Sequence, residues 1–169
     1  SSVPFDKIKF LNSTRQSGLL TSSVTFGWAP EEKIKNLPTR FHTHSKYQQK
    51  NFNILEGLIQ SSESIEAIYK ENMPEQYAKH LEASATISDE FKLRNGKSCY
   101  TGGIINNTNA LLYHKDTLNH IDAYSAMIYK EYGNVKGGVL VFPNLKIGIK
   151  FYNNSLIFFN GSKHWHGVT

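Results

Sequence analysis

The sequence predicts an α+β protein that is rich in β-structure, with helices first and strands after them. Apolar residues recur at helical spacing over residues 46–85, as an amphipathic helix requires. From about residue 99, short apolar runs alternate with Gly, Asn and Pro turn signals, which is typical of an antiparallel sandwich or barrel. A length of 169 residues fits one domain that buries its own core.

The N-terminal part contains one predicted strand and the helical stretch. Residues 19–28 are rich in β-branched and aromatic types, which favours a strand. Phe52, Leu55 and Ile59 follow the i, i+3, i+7 spacing of one helix face. Pro74 stands where a new helix can begin, because proline fits the first helical turn. We therefore expect two or three short helices in this stretch.

The C-terminal part predicts a series of short strands separated by tight turns. In the segment 123–129, Ser125 and Met127 would face one side of a strand, and Ala126 and Ile128 the other. The apolar runs that predict strands are 109–113, 123–129, 138–142, 145–151, 155–159 and 165–168.

Composition limits the function classes. No run of about 18 apolar residues is present, so we expect no transmembrane helix and no membrane partner. The single cysteine, Cys99, excludes an internal disulfide framework. The net charge of +5 and a pI of 9.2 leave two interpretations open, a basic soluble surface or a polyanionic partner such as nucleic acid.

The strongest chemical signal is the pair formed by His114 and Asp116. Residues i and i+2 of a strand point to the same side, so this imidazole and this carboxylate would project together. His166 follows Asp116 by 50 positions and offers a third ligand, with His164 as the alternative. Two histidines and one carboxylate form the facial triad of non-haem Fe(II) oxygenases. Taken alone, the pair also fits a core histidine bonded to its neighbouring carboxylate.

The residues between these ligands extend the pattern. Gly137-Gly138-x-Leu140 follows the His-x-Asp pair, and an apolar segment leads to His166-Gly167-Val168. In this order, residues 100–169 resemble the 2-oxoglutarate/Fe(II)-dependent dioxygenases.

That resemblance implies a double-stranded β-helix core, of jelly-roll or cupin type, with N-terminal helices packed outside it. It also implies that His114, Asp116 and His166 hold Fe(II) and that 2-oxoglutarate is the cosubstrate. The chain departs from the family at Asn154-Ser155, where Gly-Asp is usual. A binding module of the same fold without oxygenase turnover is the non-enzymatic alternative.

A narrower resemblance lies just beyond Asp116. The spacing His114-x-Asp116-x-x-Asn119 is similar to the signature of the TET/JBP nucleic-acid base oxygenases. It implies that Asn119 contacts a flipped base, that 5-methylcytosine in DNA is the substrate, and that the protein is intracellular, and nuclear in a eukaryote. With His166 as the distal ligand, His164 is expected either to support the ligands from outside the coordination shell or to face the substrate. The alternative is an oxygenase that hydroxylates a protein side chain, an RNA or a small molecule.

The family's basic anchor for the 2-oxoglutarate carboxylate is expected about ten residues past the distal histidine, which lies beyond Thr169. Candidates inside the chain are Arg40, Arg94 and Lys150. We expect one structural domain, with a strand and helices over 1–98 and the metal-binding core over 99–169. We also expect further residues after Thr169, since the chain ends within a strand-like run.

Overall fold

The computed structural model describes residues 11–14, 20–28, 52–107 and 111–169. It is a mixed α+β structure with antiparallel sheets and few helices, about 30% helical and 28% strand. The predicted α+β class is confirmed, but the predicted excess of β-structure is not seen. The described residues fall into two compact units, one over Ser22–Asn107 and one over Thr108–Thr169, with the shorter stretch before Ser22 divided between them. We call the first the helical unit and the second the β unit.

The described elements follow the predicted order. In the N-terminal part they are β1 (Leu11–Thr14), β2 (Leu20–Gly27), α1 (Phe52–Asn72), α2 (Pro74–Ser84), a 3-10 turn (Asp89–Phe91) and β3 (Gly102–Asn106). In the C-terminal part they are β4 (Leu111–His114), β5 (Ser125–Ile128), β6 (Val139–Phe142), a second 3-10 turn (Pro143–Leu145), β7 (Ile147–Lys150), β8 (Leu156–Phe159) and β9 (His166–Val168). Each predicted apolar run from residue 109 onwards contains or overlaps one of these strands; β4 extends one residue past the run 109–113. Residues 46–51 of the predicted helical stretch lie outside the described residues.

The two helices are separated where the sequence predicted a new start. Pro74 opens α2 as one of its first residues, and Met73 before it has a non-helical backbone. A proline disfavours helical geometry in the residue that precedes it, which explains the break. Along α1 the buried positions are Leu55, Ile59, Ser62, Glu66 and Tyr69, spaced as one helix face.

The helical unit has its own sheet and core. Val24 and Leu55 are buried, with Phe26, Leu58 and Ile105 packed against them. Strand β3 pairs antiparallel with β2, from Ser23 opposite Asn106 to Gly27 opposite Gly102. This pairing places residues 99–107 with the helical unit, whereas the sequence placed them with the metal-binding core. A strand preference in the sequence does not specify which sheet the strand joins.

The β unit consists of two sheets that enclose one core. The larger sheet has the order β4-β9-β6-β7, and β5 pairs with β8 in the smaller. Leu140, Phe142 and Phe151 are buried between them. The partly buried side chains that pack there come from both sheets: Met127, Tyr129, Ile149, Ile157, Phe159 and Val168. The predicted alternation in β5 is confirmed at Met127, which packs in the core, and at Ile128, which is 53% exposed.

Strand pairing in the β unit is nested. The innermost pair is β6 with β7, the next is β5 with β8, and the outermost is β4 with β9, all antiparallel. The chain from β4 to β9 is therefore one long hairpin whose halves are split between two sheets, and β9 also pairs with β6. In such a hairpin the first and last strands come together. None of the helices that the structure describes is long and apolar enough to cross a membrane.

Candidate metal centre

Nested pairing brings together the two ends of the predicted metal-binding segment. His114 is the last residue of β4 and His166 is the first residue of β9, and the two stand opposite each other in the antiparallel pair. Asp116 lies two residues beyond β4 on the same side. Residues that are 50 positions apart in the sequence therefore share one end of the sheet.

A β-bulge decides which residue of β4 faces His166. Leu111 pairs with Val168 and His114 pairs with His166, so β4 advances three residues while β9 advances two. In an unbroken register Tyr113 would stand opposite His166, and His114 would point to the other face. The extra residue lies opposite Gly167, where a Cβ would approach the Leu111 carbonyl oxygen to 2.6 Å and the Tyr113 ring to 2.8 Å.

Three ligand atoms converge at this end of the sheet. Oδ1 of Asp116 lies 3.6 Å from Nε2 of His114 and 3.8 Å from Nε2 of His166. His114, Asp116 and His166 are also the group, among the described residues, whose ligand atoms all lie within 4.8 Å of one another. Neither separation is a hydrogen bond, because N···O hydrogen bonds lie at about 2.7–3.2 Å.

Main-chain carbonyl groups select the tautomer of both imidazole rings. Nδ1 of His114 lies 2.8 Å from the Leu112 oxygen, and Nδ1 of His166 lies 3.0 Å from the His164 oxygen. A carbonyl oxygen only accepts, so each Nδ1 carries the proton and donates it. In the neutral rings, Nε2 then presents a lone pair towards Asp116. This is the arrangement by which metal-binding histidines are oriented in proteins.

The second carboxylate oxygen of Asp116 has polar neighbours. Oδ2 lies 3.4 Å from Nδ2 of Asn119 and 3.5 Å from Oγ of Ser125, and Asn119 also donates to Ser125 at 3.2 Å. The main-chain N–H of Asp116 donates to the Gly161 oxygen at 3.0 Å. These contacts direct Oδ1 rather than Oδ2 towards the imidazole rings.

The centre has one apolar wall and one open side. His166 is 5% exposed, and its ring lies 4.9 Å from that of Phe159 between ring centroids. The side chains of His114 and Asp116 are 34% and 29% exposed. Two imidazole nitrogens and one carboxylate oxygen suit a divalent first-row transition metal. A metal held by these three atoms would keep coordination positions facing the open side.

Of the two candidate distal histidines, it is His166 that lies with His114 and Asp116. The His164 side chain is not in the group whose ligand atoms lie within 4.8 Å of one another, although both rings lie near Phe142, at 6.5 Å for His164 and 6.3 Å for His166 between ring centroids. The structure does place the His164 carbonyl group against the His166 ring. A contact between the His164 side chain and substrate stays a prediction, as does the contact of Asn119 with a base.

Lys150 faces away from this centre. It pairs with Val139, whereas the neighbouring pair, Ile149 and Leu140, packs into the core. Val168 also packs into the core, and His166, two residues before it, shares that face. Lys150 therefore projects from the opposite face, which argues against it as the 2-oxoglutarate anchor.

The guanidinium group of Arg94 is already engaged within the helical unit. It donates to Ser62 at 2.9 Å, to Glu66 at 2.9 Å and to the Lys97 oxygen at 3.0 Å. This network leaves Arg94 poorly suited to bind a cosubstrate carboxylate. Arg40, the third candidate, lies outside the described residues.

Two features of the structure were missed from the sequence. Glu66 is buried in the helical unit. The sequence signal that could have identified it is an acidic residue at a position on the buried face of α1. The turn at Asn160-Gly161 touches Asp116, and nothing in the local sequence distinguishes it from the chain's other Asn-Gly pair, Asn95-Gly96.

The sequence matches no protein-family model and no curated protein.

Proposed function

We propose that the β unit is the catalytic core of an Fe(II)- and 2-oxoglutarate-dependent dioxygenase that oxidises a methylated nucleic-acid base, with 5-methylcytosine in DNA as the substrate. The observation that carries the proposal is the convergence of three ligand atoms with no hydrogen bond among them. In the tautomers that the carbonyl groups select, both Nε2 lone pairs face Oδ1 of Asp116, at 3.6 and 3.8 Å, and a divalent metal ion among the three atoms would bind all of them.

The strand pairing supports the fold that this activity requires. A jelly roll is a long antiparallel hairpin folded into two facing sheets, and the β4–β9 segment has that nested pairing. We therefore propose a double-stranded β-helix for this unit. The outermost strand pair contains His114 and His166, so the strand pairing that supports this fold also brings the two proposed histidine ligands together.

The residues of the centre have separate roles in this proposal. His114 and His166 hold the metal through Nε2, because their Nδ1 atoms are fixed by carbonyl groups. Asp116 supplies the anionic ligand, and Ser125 keeps the second oxygen of that carboxylate turned aside. When bound, Fe(II) and 2-oxoglutarate activate dioxygen for hydroxylation of a C–H bond. The protein contributes the open side on which cosubstrate and substrate meet.

Asn119 is the proposed base-reading residue. Its Nδ2 points to Asp116 and Ser125, and among the described residues its Oδ1 accepts no hydrogen bond. The side chain therefore offers an acceptor, which matches the exocyclic amino group of cytosine and not the O4 of thymine. A base reaches such a site only after it is flipped out of the duplex, at a cost of a few kcal/mol.

Charge supports a polyanionic substrate. Residues 111–169 contain six lysines and no arginine against three acidic residues, which gives this unit a net charge of +3. Lysine makes non-directional phosphate contacts, whose contribution to affinity falls steeply with added salt. Base selection would then depend on the few side chains at the metal centre.

The test is nucleoside mass spectrometry of methylated DNA incubated with the protein, Fe(II) and 2-oxoglutarate, with succinate measured in parallel. We expect oxidised 5-methylcytosine, and we expect none from Asp116→Ala. Asn119→Ala should slow base oxidation by a factor that corresponds to about 1–3 kcal/mol, while DNA binding and uncoupled succinate formation change little. Asn134→Ala, an exposed asparagine between β5 and β6, is the matched control.

The outcomes separate the alternatives. Succinate formation that depends on a peptide, an RNA or a small molecule, with no oxidised base, would support the oxygenase activity and contradict DNA as the substrate. Metal binding without succinate formation from any substrate would indicate a binding module.

A further inference from the structure

The turn between β8 and β9 is held by hydrogen bonds within the turn and to the loop that follows β4. Asn160 is buried, and its Nδ2 donates to the Ile121 oxygen at 2.6 Å. Its Oδ1 accepts from Ser162 at 2.8 Å and from the Lys163 N–H at 2.9 Å. The next residue, Gly161, accepts the main-chain N–H of Asp116. The loop that follows β4 and the turn that precedes β9 are therefore fastened together beside the metal centre.

Gly161 is needed at this turn for its lack of a side chain, and its backbone conformation is ordinary. It is not among the glycines with positive φ, which include Gly137 and Gly138. A Cβ at Gly161 would overlap Oδ2 of Asp116 and would lie 3.0 Å from Cγ of Asp116 and 3.3 Å from Cε1 of His166. Any larger residue would compete for the volume that the carboxylate occupies.

We propose that Gly161 is a positioning residue of the metal centre, which keeps open the space in which the Asp116 carboxylate faces His114 and His166. The inference rests on the proposed metal site and adds a residue that is not itself a ligand. The carboxylate is the end of a short side chain and can rotate away from an added methyl group. The substitution should therefore reduce metal affinity and leave folding largely unaffected.

The experiment is titration of the purified protein with Co(II) alone, followed by calorimetry and by the visible absorption of bound cobalt. We expect Gly161→Ala to bind Co(II) about 10–100-fold more weakly than the wild type, as other changes around metal ligands do. The matched control is Gly148→Ala on β7, where the added Cβ would meet Val139 Cγ1 at 3.3 Å and lies away from the ligands.

A double-mutant cycle distinguishes positioning from a general structural effect. If Gly161 acts through Asp116, Gly161→Ala should lower the free energy of unfolding less in the Asp116→Ala background than in the wild type, because the group that the added Cβ would meet is then absent. Should Gly161→Ala fail to fold, the double variant decides the matter. Recovery of the fold in the absence of the carboxylate supports the proposal, and an unfolded double variant overturns it.

The remaining results separate this inference from the proposed function. A wild type that binds Co(II) and a Gly161→Ala variant that binds it equally well would overturn the positioning role alone. A wild type that binds no Co(II) would overturn the metal centre itself, and the role of Gly161 with it.

Discussion

Glu66 in the helical unit and Asp116 in the β unit are two carboxylates with opposite surroundings. The side chain of Glu66 is 6% exposed and is bonded to Arg94, to Ser98 and to the Cys99 N–H, with the Tyr77 hydroxyl group at 3.4 Å. Oδ1 of Asp116 faces two ring nitrogens at 3.6 and 3.8 Å and, among the described residues, makes no hydrogen bond. A carboxylate whose bonds are complete stabilises the fold, whereas one aimed at other electron-pair donors is arranged for a ligand.

The two units also differ in net charge. Residues 52–107 carry five basic and eight acidic side chains, and residues 111–169 carry six basic and three acidic ones. The described helical unit is therefore acidic and the β unit is basic, although the whole chain has a net charge of +5. A polyanionic partner would bind preferentially to the unit that contains the candidate metal centre.

The largest effect on stability is expected from Glu66→Ala. Removal of this carboxylate leaves Arg94, whose side chain is 10% exposed, with only the exposed Glu63 as a counter-ion, which should lower the free energy of unfolding by about 3–5 kcal/mol. Denaturant unfolding followed by circular dichroism measures the change. The control is Glu63→Ala, because the Glu63 side chain is 77% exposed and 3.8 Å from Arg94, so its loss should cost under about 1 kcal/mol. Equal losses in the two variants would contradict a structural role specific to Glu66.

Asp116→Ala, in contrast to Glu66→Ala, should change the stabilisation by metal and not the stability of the metal-free protein. Without metal, we expect stability no lower than that of the wild type, because the carboxylate makes no strong bond in the fold. With Mn(II) at about 100 times its dissociation constant, the wild type should gain about 2.7 kcal/mol and the variant should gain nothing. Thermal unfolding with and without Mn(II) measures both. Metal-dependent stabilisation that survives in Asp116→Ala would remove this residue from the ligand set.

Alanine substitutions of His166 and His164 should lower the metal affinity by different amounts. His166→Ala removes a ligand atom and should abolish Mn(II) binding. His164→Ala keeps the main-chain carbonyl group that orients the His166 ring, so its affinity should fall by a factor of about ten or less, about 1.4 kcal/mol. Calorimetric titration of both variants tests this order. The reverse order would make His164 the distal ligand.

The smallest expected effect is a fall in stability as pH rises, which originates in the helical unit. Burial, together with the nearby Glu66 carboxylate, raises the pKa of the Cys99 thiol far above its usual value. Above about pH 8.5 the unfolded chain loses this proton and the folded chain keeps it, so stability should fall as pH rises. We expect a loss of about 1 kcal/mol between about pH 8 and about pH 9.5. Urea unfolding across this range measures it.

The Tyr100 hydroxyl group, whose pKa is also raised by burial, should extend this loss above about pH 10. Cys99→Ala is the control, because it should remove the earlier part of the decline and retain the later part. An unchanged profile in that variant would show that the thiol is not its source.

The sequence by itself determined the parts of the structure that depend on neighbouring residues. Pro74 divided the helices, and alternation predicted that Met127 and Ile128 would lie on opposite faces of a strand. The His114-x-Asp116 spacing placed two ligand types on one side of the chain. These features follow from backbone geometry over a few residues, which the local sequence contains.

The tertiary structure decided everything that depends on how distant segments meet. The bulge opposite Gly167 selected His114 over Tyr113, and Gly161 left room for the Asp116 carboxylate. The same long-range packing turned Lys150 to the far face of the sheet and enclosed Glu66 with Arg94. A one-residue change of register inverts the face of every side chain, and register between strands about 50 residues apart is set by packing of the whole core rather than by local preference.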